Sequence, residues 1–327
     1  MKKIIFFFIL LVTCLHTYNK DIGFKEIDSW VEDNPGKLVP IRIEFKDNID
    51  CFKVNQQFKD QQTPVNQRPK IVNRLLKEQA VKSQEFVIDF LKKQTSSKTY
   101  YHSFWIVNII VAQVDAATIE KLLQFSNISS IKIENNQFIA HDDFKESADN
   151  NRTPNGVENG LIAINAPAMW ALGYTGRGRL AYNYDTGVWP NHPAFSNRFI
   201  GDRFPMQQSW IGYFNTFPNG SIQNHGTHTL GTIAGLVEST NDTIGVAFGS
   251  YWIANDFVTS TVQALPPIVN MIEAFQWALN PDNDTSTTED VPDVINNSWR
   301  WYDGNDTIHC QGFVVNLMNA IEAAGIA

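Results

Sequence analysis

Segments with strand-like spacing of hydrophobic residues alternate with segments of helix-like spacing along residues 38–139, which predicts a small domain of strands and helices. Apolar residues occupy every second position of residues 41–45, with charged residues between them, as in a half-buried strand. After Pro69, which suits a first helical turn, apolar residues recur at helical spacing until the Thr-Ser-Ser string at 95–97. Residues 100–114 are rich in β-branched and aromatic side chains, so we expect one strand there.

A short helix and a last strand complete this first pattern. Asp115 is placed to cap a helix whose apolar residues lie within 119–123, and apolar residues alternate again at 131–133. The order strand, helix, strand, helix, strand predicts a small α+β sandwich of ferredoxin-like type. Taken alone, such a domain says nothing about chemistry.

The composition changes after residue 140. Residues 141–160 are rich in Asp, Asn, Gly and Glu, which is typical of an exposed linker between domains. From residue 161 to 327, helical and apolar strand segments alternate, and this favours an α/β fold with a parallel sheet. We expect a helix over 166–172 that ends at Gly173, and a strand over 180–184.

The first residues have the build of a secretory signal peptide. Lys2 and Lys3 precede an apolar run at 4–12 that is too short to span a membrane, and polar residues follow it. We therefore predict a signal peptide over residues 1–18 and a secreted protein, with a bacterial lipoprotein site at Cys14 as the alternative. No later segment of the sequence predicts a transmembrane helix.

Length, charge and cysteine content narrow the class of protein. The 327 residues exceed one typical domain, so two are expected. A net charge of −8 argues against nucleic-acid binding, which needs clustered Lys and Arg. Beyond the predicted signal peptide only Cys51 and Cys310 remain, too few for a disulfide framework, so stability must come from core burial.

Asp185 directly follows the predicted strand 180–184, where open α/β sheets place their sites. The string Asp-Thr-Gly at 185–187 fits a simple turn, with the aspartate bonded to local backbone. Aspartic proteases use the same string, but they need a second one, and the sequence has none. A third interpretation makes Asp185 the group that orients a catalytic imidazole.

His225 is the candidate for that imidazole. It opens a predicted helix, where a histidine can offer one ring nitrogen to a carboxylate and the other to a nucleophile. Zinc competes, because His225 and His228 lie three residues apart, but no His-Glu-x-x-His string and no nearby Cys or carboxylate supports it. His192 and His309 have no acidic partner at a recognisable spacing, so structural roles are expected for them.

A second acidic stretch could hold calcium. It lies among Thr, Ser and Asn residues and contains Asp282, Asp284, Glu289 and Asp290. Their spacing fits no recognised calcium loop, which favours a solvated loop. The sequence therefore predicts no cofactor and no bound metal, with calcium as an unsupported alternative.

Two strings resemble a known family. Tyr-Asp-Thr-Gly-Val at 184–188 and Asn-His-Gly-Thr-His-Thr-Leu-Gly-Thr-Ile-Ala-Gly at 224–235 are similar, in order and distance, to the subtilisin-like serine proteases, or subtilases. Five further segments resemble bacillopeptidase F-type members: 171–176, 191–194, 252–254, 293–299 and 323–326. Residues 103–108 and the helix before them are similar to that group's inhibitor-like propeptide.

The resemblance implies a fold and an arrangement of domains. It implies an α/β fold, as an incomplete subtilisin-like parallel-sheet catalytic domain whose N-terminal portion covers residues 161–327. An inhibitor-like propeptide of small α+β ferredoxin-like type would precede it at residues 36–140, followed by the linker at 141–160. Such a propeptide would help its own catalytic domain to fold, inhibit it temporarily, and be removed by a cut in the linker.

The resemblance also implies roles for single residues. Asp185 would be the buried carboxylate, and His225 the base that takes a proton from serine and returns it to the leaving amine. Ser298 and Trp299 match a strand edge that pairs with extended substrate. Arg300 stands where that pattern has Gly, and Asn183 is an unusual polar residue in a strand expected to be apolar.

The family's nucleophile has no counterpart in the sequence. Family members reach an oxyanion Asn and then Gly-Thr-Ser further along, and these 327 residues contain no Gly-Thr-Ser. We therefore expect the precursor of a secreted serine endopeptidase with its serine-bearing part missing from this chain, which alone would be inactive. The expected partners are polypeptide substrates and the propeptide, without nucleic acid. A non-catalytic protease inhibitor or peptide-binding protein is the alternative.

Overall fold

The computed structural model describes eight stretches of the chain: 21–22, 24–94, 100–134, 138–139, 156–220, 224–258, 267–301 and 312–327. The predicted signal peptide, most of the predicted linker, His309 and Cys310 lie outside these residues. Among the helices that the structure describes, none is long and apolar enough to cross a membrane.

The chain divides into two compact units. Unit 1 contains residues 1–48, 80–103 and 108–135, and unit 2 contains residues 49–79, 104–107 and 136–327. This division differs from the predicted domain limits, because two stretches that precede residue 140 belong to unit 2. The predicted domains, 36–140 and 161–327, stay a prediction.

In the part of unit 1 that the structure describes, the sheet has five strands. They are Asp21–Ile22 (β1), Val39–Phe45 (β2), Tyr100–Phe104 (β3), Ile109–Val114 (β4) and Ile128–Ile133 (β5). Their order is β1-β5-β2-β4-β3, and β2 pairs antiparallel with both β4 and β5. The predicted strands at 41–45 and 131–133 therefore lie side by side.

The described residues of the same part of the sequence contain four α-helices: Phe24–Asp33 (α1), Cys51–Asp60 (α2), Arg68–Lys93 (α3) and Ala116–Leu122 (α4). The predicted long helix corresponds to α3. Asp115 caps α4 as predicted, since its Oδ1 accepts a 2.7 Å hydrogen bond from the Thr118 amide. Sequence analysis did not find α1 or α2; α2 is rich in Lys and Gln, and few of its residues are buried apolar ones.

The prediction of a single strand over residues 100–114 is wrong, because the chain turns between β3 and β4. Asn108, at the end of this turn, has a φ of 50°, a left-handed conformation that Asn tolerates better than most residues. Its side-chain amide donates to the Asp47 carbonyl at 2.8 Å and to Ser83 Oγ at 3.1 Å. Strand propensity on both sides of the turn concealed it in the sequence.

The core of unit 1 lies on one face of its sheet. Alternate residues of β2 point to this face, as the period of the strand requires. The buried cluster is Ile27, Val39, Ile41, Ile43, Phe45, Val87, Leu91, Ile110, Ala112, Val114, Ile119, Leu122, Leu123, Ile128 and Ile131. Its members come from the sheet, from α1, α3 and α4, and from the ends of these helices, so unit 1 is a layer of helices on a sheet.

Unit 2 contains the remaining strands: Phe138–Ile139 (β6), Leu180–Tyr184 (β7), Trp210–Ile211 (β8), Leu236–Val237 (β9), Asp242–Thr243 (β10), Tyr251–Asn255 (β11), Val294–Asn297 (β12) and Arg300–Trp301 (β13). Four of them form a sheet of order β12-β7-β11-β8, in which every pairing is parallel. This sheet establishes the α/β class. β7 lies between β12 and β11 and coincides with the predicted strand.

The helices of this part are Asn159–Ala163 (α5), Ala166–Ala171 (α6), His225–Ala234 (α7), Pro267–Ala278 (α8) and Phe313–Ala323 (α9). α6 agrees with the helix predicted over 166–172, and Gly173 beyond it has a φ of 90°. Every residue of β7 is buried, as a central parallel strand requires. Leu230 and Ala234 of α7 belong to the same buried cluster as Trp252 and Ala254 of β11.

Two stretches from the first half of the chain are part of unit 2. Asn55 of α2 donates to Glu322 Oε1 of α9 at 2.9 Å, and Asn73 of α3 donates to the Leu279 carbonyl at 2.6 Å. Gln276 Oε1 of α8 accepts from the Trp105 amide at 2.8 Å. These contacts explain why the unit boundary does not follow the chain.

Candidate active site

Asp185 and His225, the predicted carboxylate and base, are in direct contact. Asp185 is the first residue after β7, and His225 is the first residue of α7. Asp185 Oδ1 lies 2.7 Å from His225 Nδ1. The sheet and the helix thus bring together two residues that the sequence separates.

The burial of the two side chains differs. Asp185 is fully buried, whereas the side chain of His225 is 13% exposed. A carboxylate removed from water is tolerated only when it is paired or hydrogen-bonded, which Nδ1 provides here. Since Nδ1 is held by Asp185, proton exchange with a nucleophile or a substrate would use Nε2.

Three further hydrogen bonds fix Asp185. Its Oδ1 accepts from the Thr186 amide at 2.7 Å, and its Oδ2 accepts from Thr229 Oγ1 at 3.0 Å. Its own amide donates to Asn255 Oδ1, at the end of β11, at 3.0 Å. Asn255 Nδ2 in turn donates to the hydroxyl of Tyr182. The backbone of Asp185 is therefore held by β11, and its carboxylate is held by the turn after β7 and by α7.

The close approach of α7 to the turn after β7 requires glycine. A Cβ on Gly226 would lie 2.2 Å from the Gly187 carbonyl oxygen and 3.1 Å from Asp185 Cβ. Gly187 has a φ of 102°, and a Cβ there would lie 2.3 Å from the Asn219 carbonyl oxygen. The glycines of the two strings thus allow the backbone contact that brings His225 to Asp185.

The sequence profile of the subtilase family matches residues 184–323, from the last residue of β7 to the last residue of α9. Residues 184–323 belong to the subtilase family. The predicted resemblance is thereby confirmed for the stretch that holds Asp185 and His225.

Two relatives of this chain come from Bacillus subtilis (strain 168). Bacillopeptidase F is 30% identical over 271 residues, which cover 77% of this chain and 18% of that protein. Subtilisin E is 29% identical over 182 residues, which cover 55% of this chain and 41% of that protein. The chain therefore spans less than half the length of either relative.

The comparison with solved structures gives two matches to report. Fervidolysin from Fervidobacterium pennivorans, a keratinolytic enzyme related to subtilisin, is 15% identical with a TM-score of 0.44, over 90% of this chain and 40% of that chain. The epidermin leader peptide processing serine protease from Staphylococcus aureus is 13% identical with a TM-score of 0.48, over 88% of this chain and 58% of that chain.

Ser298 and Trp299, the predicted substrate-binding residues, follow β12 directly. Ser298 Oγ lies 2.9 Å from Asn296 Nδ2. The ring of Trp299 lies 4.9 Å from the ring of Tyr184, the residue before Asp185. Because β12 and β7 are neighbouring parallel strands, their C-terminal ends place these residues at the same edge of the sheet as Asp185.

Beyond Trp299 the chain forms β13, which pairs antiparallel with β6. Arg300 is opposite Ile139, and Trp301 is opposite Phe138. Arg300, at the position where the resemblance predicts Gly, takes part in backbone pairing at this edge. One residue separates β6 from the predicted linker at 141–160.

Asn183 occupies a fully buried position in β7, and its polar side chain has a structural reason. Its Nδ2 donates to the Gly226 carbonyl of α7 at 2.8 Å. Its Oδ1 accepts from Asn296 Nδ2 of β12 at 3.0 Å. An apolar residue in this place would leave the link between β7, α7 and β12 without these two bonds.

Of the other histidines considered in the sequence, His192 and His228 lie among the described residues, and neither contacts Asp185 there. His228 is exposed on α7, and His192 accepts a 3.2 Å hydrogen bond from the Ala194 amide and stacks on Phe195. Burial lowers the pKa of His192. Within the described ranges, no group of three or more His, Cys, Asp or Glu side chains could hold a metal ion.

The acidic stretch after α8 is a network of internal hydrogen bonds. Asp290 Oδ2 accepts from the Asp282 amide at 2.9 Å, and Asp282 Oδ2 accepts from Thr287 Oγ1 at 2.6 Å. Burial, helped by the charge of Asp282, raises the pKa of Asp290 to about 6. The exposed Asp284 has a lowered pKa, because Ser286 donates to it. The absence of a cofactor stays a prediction.

Sequence analysis missed Thr229 and Asn255 as neighbours of Asp185. Thr229 lies four residues after His225, and this helical spacing places both on one face of α7, so it could have been found. Asn255 contacts Asp185 only because β11 pairs with β7. No local pattern in the sequence contains that pairing.

Proposed function

We propose that the chain carries the acid–base part of a secreted serine endopeptidase, with Asp185 and His225 as two members of an Asp-His-Ser triad. The observation that carries this proposal is the 2.7 Å contact between Asp185 Oδ1 and His225 Nδ1 at the end of the central strand. The subtilase membership of residues 184–323 supports the same reaction class, with polypeptides as substrates.

Each residue of the pair would have a distinct task. Asp185 would keep the Nδ1 proton of His225 in place, so that Nε2 is the basic nitrogen. Nε2 would take the proton of the attacking serine, and the buried carboxylate would stabilise the imidazolium that forms. The same proton would then pass to the leaving amine, which needs a proton to depart.

The serine itself is proposed to lie outside this sequence. Its 327 residues contain no Gly-Thr-Ser string, and without a nucleophile no acyl-enzyme can form. We therefore propose that the chain as given does not hydrolyse peptides. The proposed mechanism uses no metal and no other cofactor.

The strand edge at Ser298 and Trp299 is proposed to bind an extended substrate through backbone hydrogen bonds. Support comes from the neighbouring residues, because Arg300 and Trp301 already pair antiparallel with Ile139 and Phe138. That pairing has the form expected of a peptide strand added to this edge.

We also propose that residues 36–140 act as the propeptide of this protease and are removed by a cut within 141–160. Two observations support this role. The end of the proposed propeptide, β6, lies along β13, next to the proposed substrate edge. In addition, residues 49–79 and 104–107 form a compact unit with the subtilase part.

The test is to sequence the gene beyond codon 327 and to express the longer reading frame. We expect an in-frame Gly-Thr-Ser, a serine there that reacts with a fluorophosphonate probe, and peptide hydrolysis. His225→Ala and Asp185→Asn should abolish hydrolysis, whereas His228→Ala, an exposed histidine one turn along α7, should retain it. The purified 327-residue chain should not react with the probe.

Two results would contradict the proposal. Labelling of the 327-residue chain would show that it already contains a reactive nucleophile. Hydrolysis by the longer protein that survives His225→Ala would show that His225 is not its base.

A further inference from the structure

We infer that Thr229 is a positioning residue for the Asp185–His225 pair, and that Asn183 directs the Thr229 hydroxyl onto Asp185. The inference rests on the proposed function, because it concerns the same pair. It assigns a task to two polar side chains of a buried region.

The position of Thr229 brings three acceptors within reach of one hydroxyl. Thr229 Oγ1 lies 3.0 Å from Asp185 Oδ2, 3.2 Å from the Gly226 carbonyl oxygen and 3.3 Å from Asn183 Oδ1. A hydroxyl has one proton, so it can donate to one acceptor at a time. The carboxylate is both the nearest of the three and the only charged one, which makes it the strongest acceptor.

The helix offers Thr229 a competing partner. A threonine inside a helix commonly donates to the carbonyl three or four residues earlier, here that of Gly226. Asn183 Nδ2 donates to this same oxygen at 2.8 Å. The Asn183 carbonyl, the third acceptor, already accepts from Asn296 Nδ2 at 3.0 Å. Asn183 thus makes both alternatives less favourable, and the hydroxyl is directed to Asp185.

The hydroxyl affects the imidazole through the carboxylate. Asp185 is fully buried, so Oδ2 has no water to replace a lost donor. With the Thr229 bond in place, part of the carboxylate charge is stabilised at Oδ2. Without it, the contact between Oδ1 and Nδ1 must stabilise more of the charge, so the Nδ1–H bond strengthens and the protonated imidazole is favoured.

The experiment uses the full 327-residue chain with ¹⁵N-labelled histidine, so it needs no catalytic activity. The His225 signals are assigned by their loss in His225→Ala. In Thr229→Val, we expect the Nδ1 proton of His225 to move to lower field, and the midpoint of its titration to move up by about one pH unit. Thr229→Ser, which keeps the hydroxyl, should resemble the unsubstituted chain.

Thr232→Val is the matched control. Thr232 lies on the same helix and donates to the His228 carbonyl at 3.3 Å, away from Asp185. Thr232→Val removes the same hydroxyl group as Thr229→Val does. Because that hydroxyl does not contact Asp185, the His225 signals should stay unchanged. If Thr229→Val does not fold, as judged from its amide spectrum, Thr229→Ala provides the same loss of the hydroxyl.

Asn183→Val tests the second half of the inference. It releases the Gly226 carbonyl for Thr229, so we expect part of the change seen in Thr229→Val, in the same direction. The double variant should show no more than Thr229→Val alone, because Asn183 acts through the hydroxyl. Additive changes would contradict this link.

The outcomes separate this inference from the proposed function. If Thr229→Val and Thr229→Ser change the His225 signals equally, or if neither changes them, the positioning role is wrong. If the unsubstituted chain itself has no hydrogen-bonded Nδ1 proton at His225, the proposed acid–base pair fails, and the inference fails with it.

Discussion

The carboxylate of Asp185 lies where the backbone leaves no room for an extra methyl group. A Cβ on Gly226 would meet the Gly187 carbonyl oxygen at 2.2 Å, and backbone atoms cannot give way as a flexible side chain can. We expect Gly226→Ala to lower the free energy of unfolding by about 1–3 kcal/mol, measured by urea denaturation. It should also weaken the His225 contact with Asp185.

Gly231 provides the comparison for this variant. It lies in the same helix, and a Cβ there would meet nothing within 4 Å. Gly231→Ala should therefore stabilise the protein by about 0.5–1 kcal/mol, since alanine favours the helix. Equal losses in both variants would show that helix propensity, and not the contact at Gly187, decides the effect.

Asp290 gives the protein a stability that depends on pH. Burial and the nearby charge of Asp282 raise its pKa to about 6, so the folded protein binds its proton more tightly than the unfolded chain does. The free energy of unfolding therefore falls as the pH rises from about 4 through 6, because over this range the folded protein still binds a proton that the unfolded chain has already released. Asp290→Asn should remove this fall and raise stability at pH 7.5 by about 1–2 kcal/mol.

The measurement is the thermal midpoint of the unsubstituted protein, Asp290→Asn and Asp284→Asn between pH 2.5 and 7.5. Asp284→Asn should have the opposite effect and lower the stability at neutral pH, because hydrogen bonds from Ser286 lower the pKa of the Asp284 carboxyl. The stability that Asp284 contributes is present at neutral pH and is lost as the pH falls through that lowered pKa. A constant difference between the unsubstituted protein and Asp290→Asn across this range would contradict the prediction.

At the scale of residues, the sequence could identify the pair but not its surroundings. Asp185 and His225 stand in strings whose residue types and order resemble a family, so both were found. Thr229 needed only helical spacing. Asn255 and Asn296 reach the site through strand pairing, which depends on the whole sheet and has no local signal.

At the scale of elements, caps decide where helices begin. Asp115 Oδ1 accepts from the Thr118 amide at 2.7 Å at the start of α4, where this amide otherwise has only the 3.1 Å bond to the Asp115 carbonyl. We expect Asp115→Ala to cost about 1 kcal/mol of stability in urea denaturation. Asp115→Asn retains the acceptor and should cost much less, and a similar loss in both variants would mean that charge outweighs capping.

The elements that the sequence predicted are those with a clear period. α3 has apolar residues at helical spacing over many turns, and β7 is a short apolar run that ends at a turn signal. The turn between β3 and β4 escaped prediction because strand-forming residues flank it on both sides. Its left-handed Asn108 is held by tertiary hydrogen bonds, which a local pattern does not contain.

At the scale of the whole molecule, unit 2 combines residues from both sides of the predicted linker. Asn55 bonds to Glu322, and Gln276 bonds to the backbone at Trp105. We expect that a protease site introduced within residues 140–155 and then cleaved leaves two fragments that elute together in size-exclusion chromatography. Separate elution under native conditions would contradict this prediction.

Gln276→Ala should weaken the association of the cleaved fragments. Its Oε1 accepts from the amides of both Trp105 and Ile106, at 2.8 and 3.2 Å, and alanine leaves both without this acceptor. Gln124→Ala, at an exposed position of unit 1, is the control and should have no effect. The urea concentration at which the fragments separate is the quantity to compare.

The sequence predicted the α/β class, but it did not predict which residues belong to each unit. Alternating helix and strand segments predict a parallel sheet without any knowledge of contacts. The membership of residues 49–79 in unit 2 depends on side chains such as Asn55 and Asn73, which are ordinary polar residues in the sequence. Their partners lie hundreds of residues away along the chain.

The parallel pairing of β7 also has a kinetic consequence. Its neighbours arrive late in synthesis: Asn255 is 70 residues beyond Asp185, and Asn296 is 113 residues beyond Asn183. Closing such long loops costs chain entropy before any contact offsets it, so sheets of this topology fold slowly. We therefore expect the Asp185–His225 pair to form late in folding, so that a newly made chain contains the residues of the site before it contains the site.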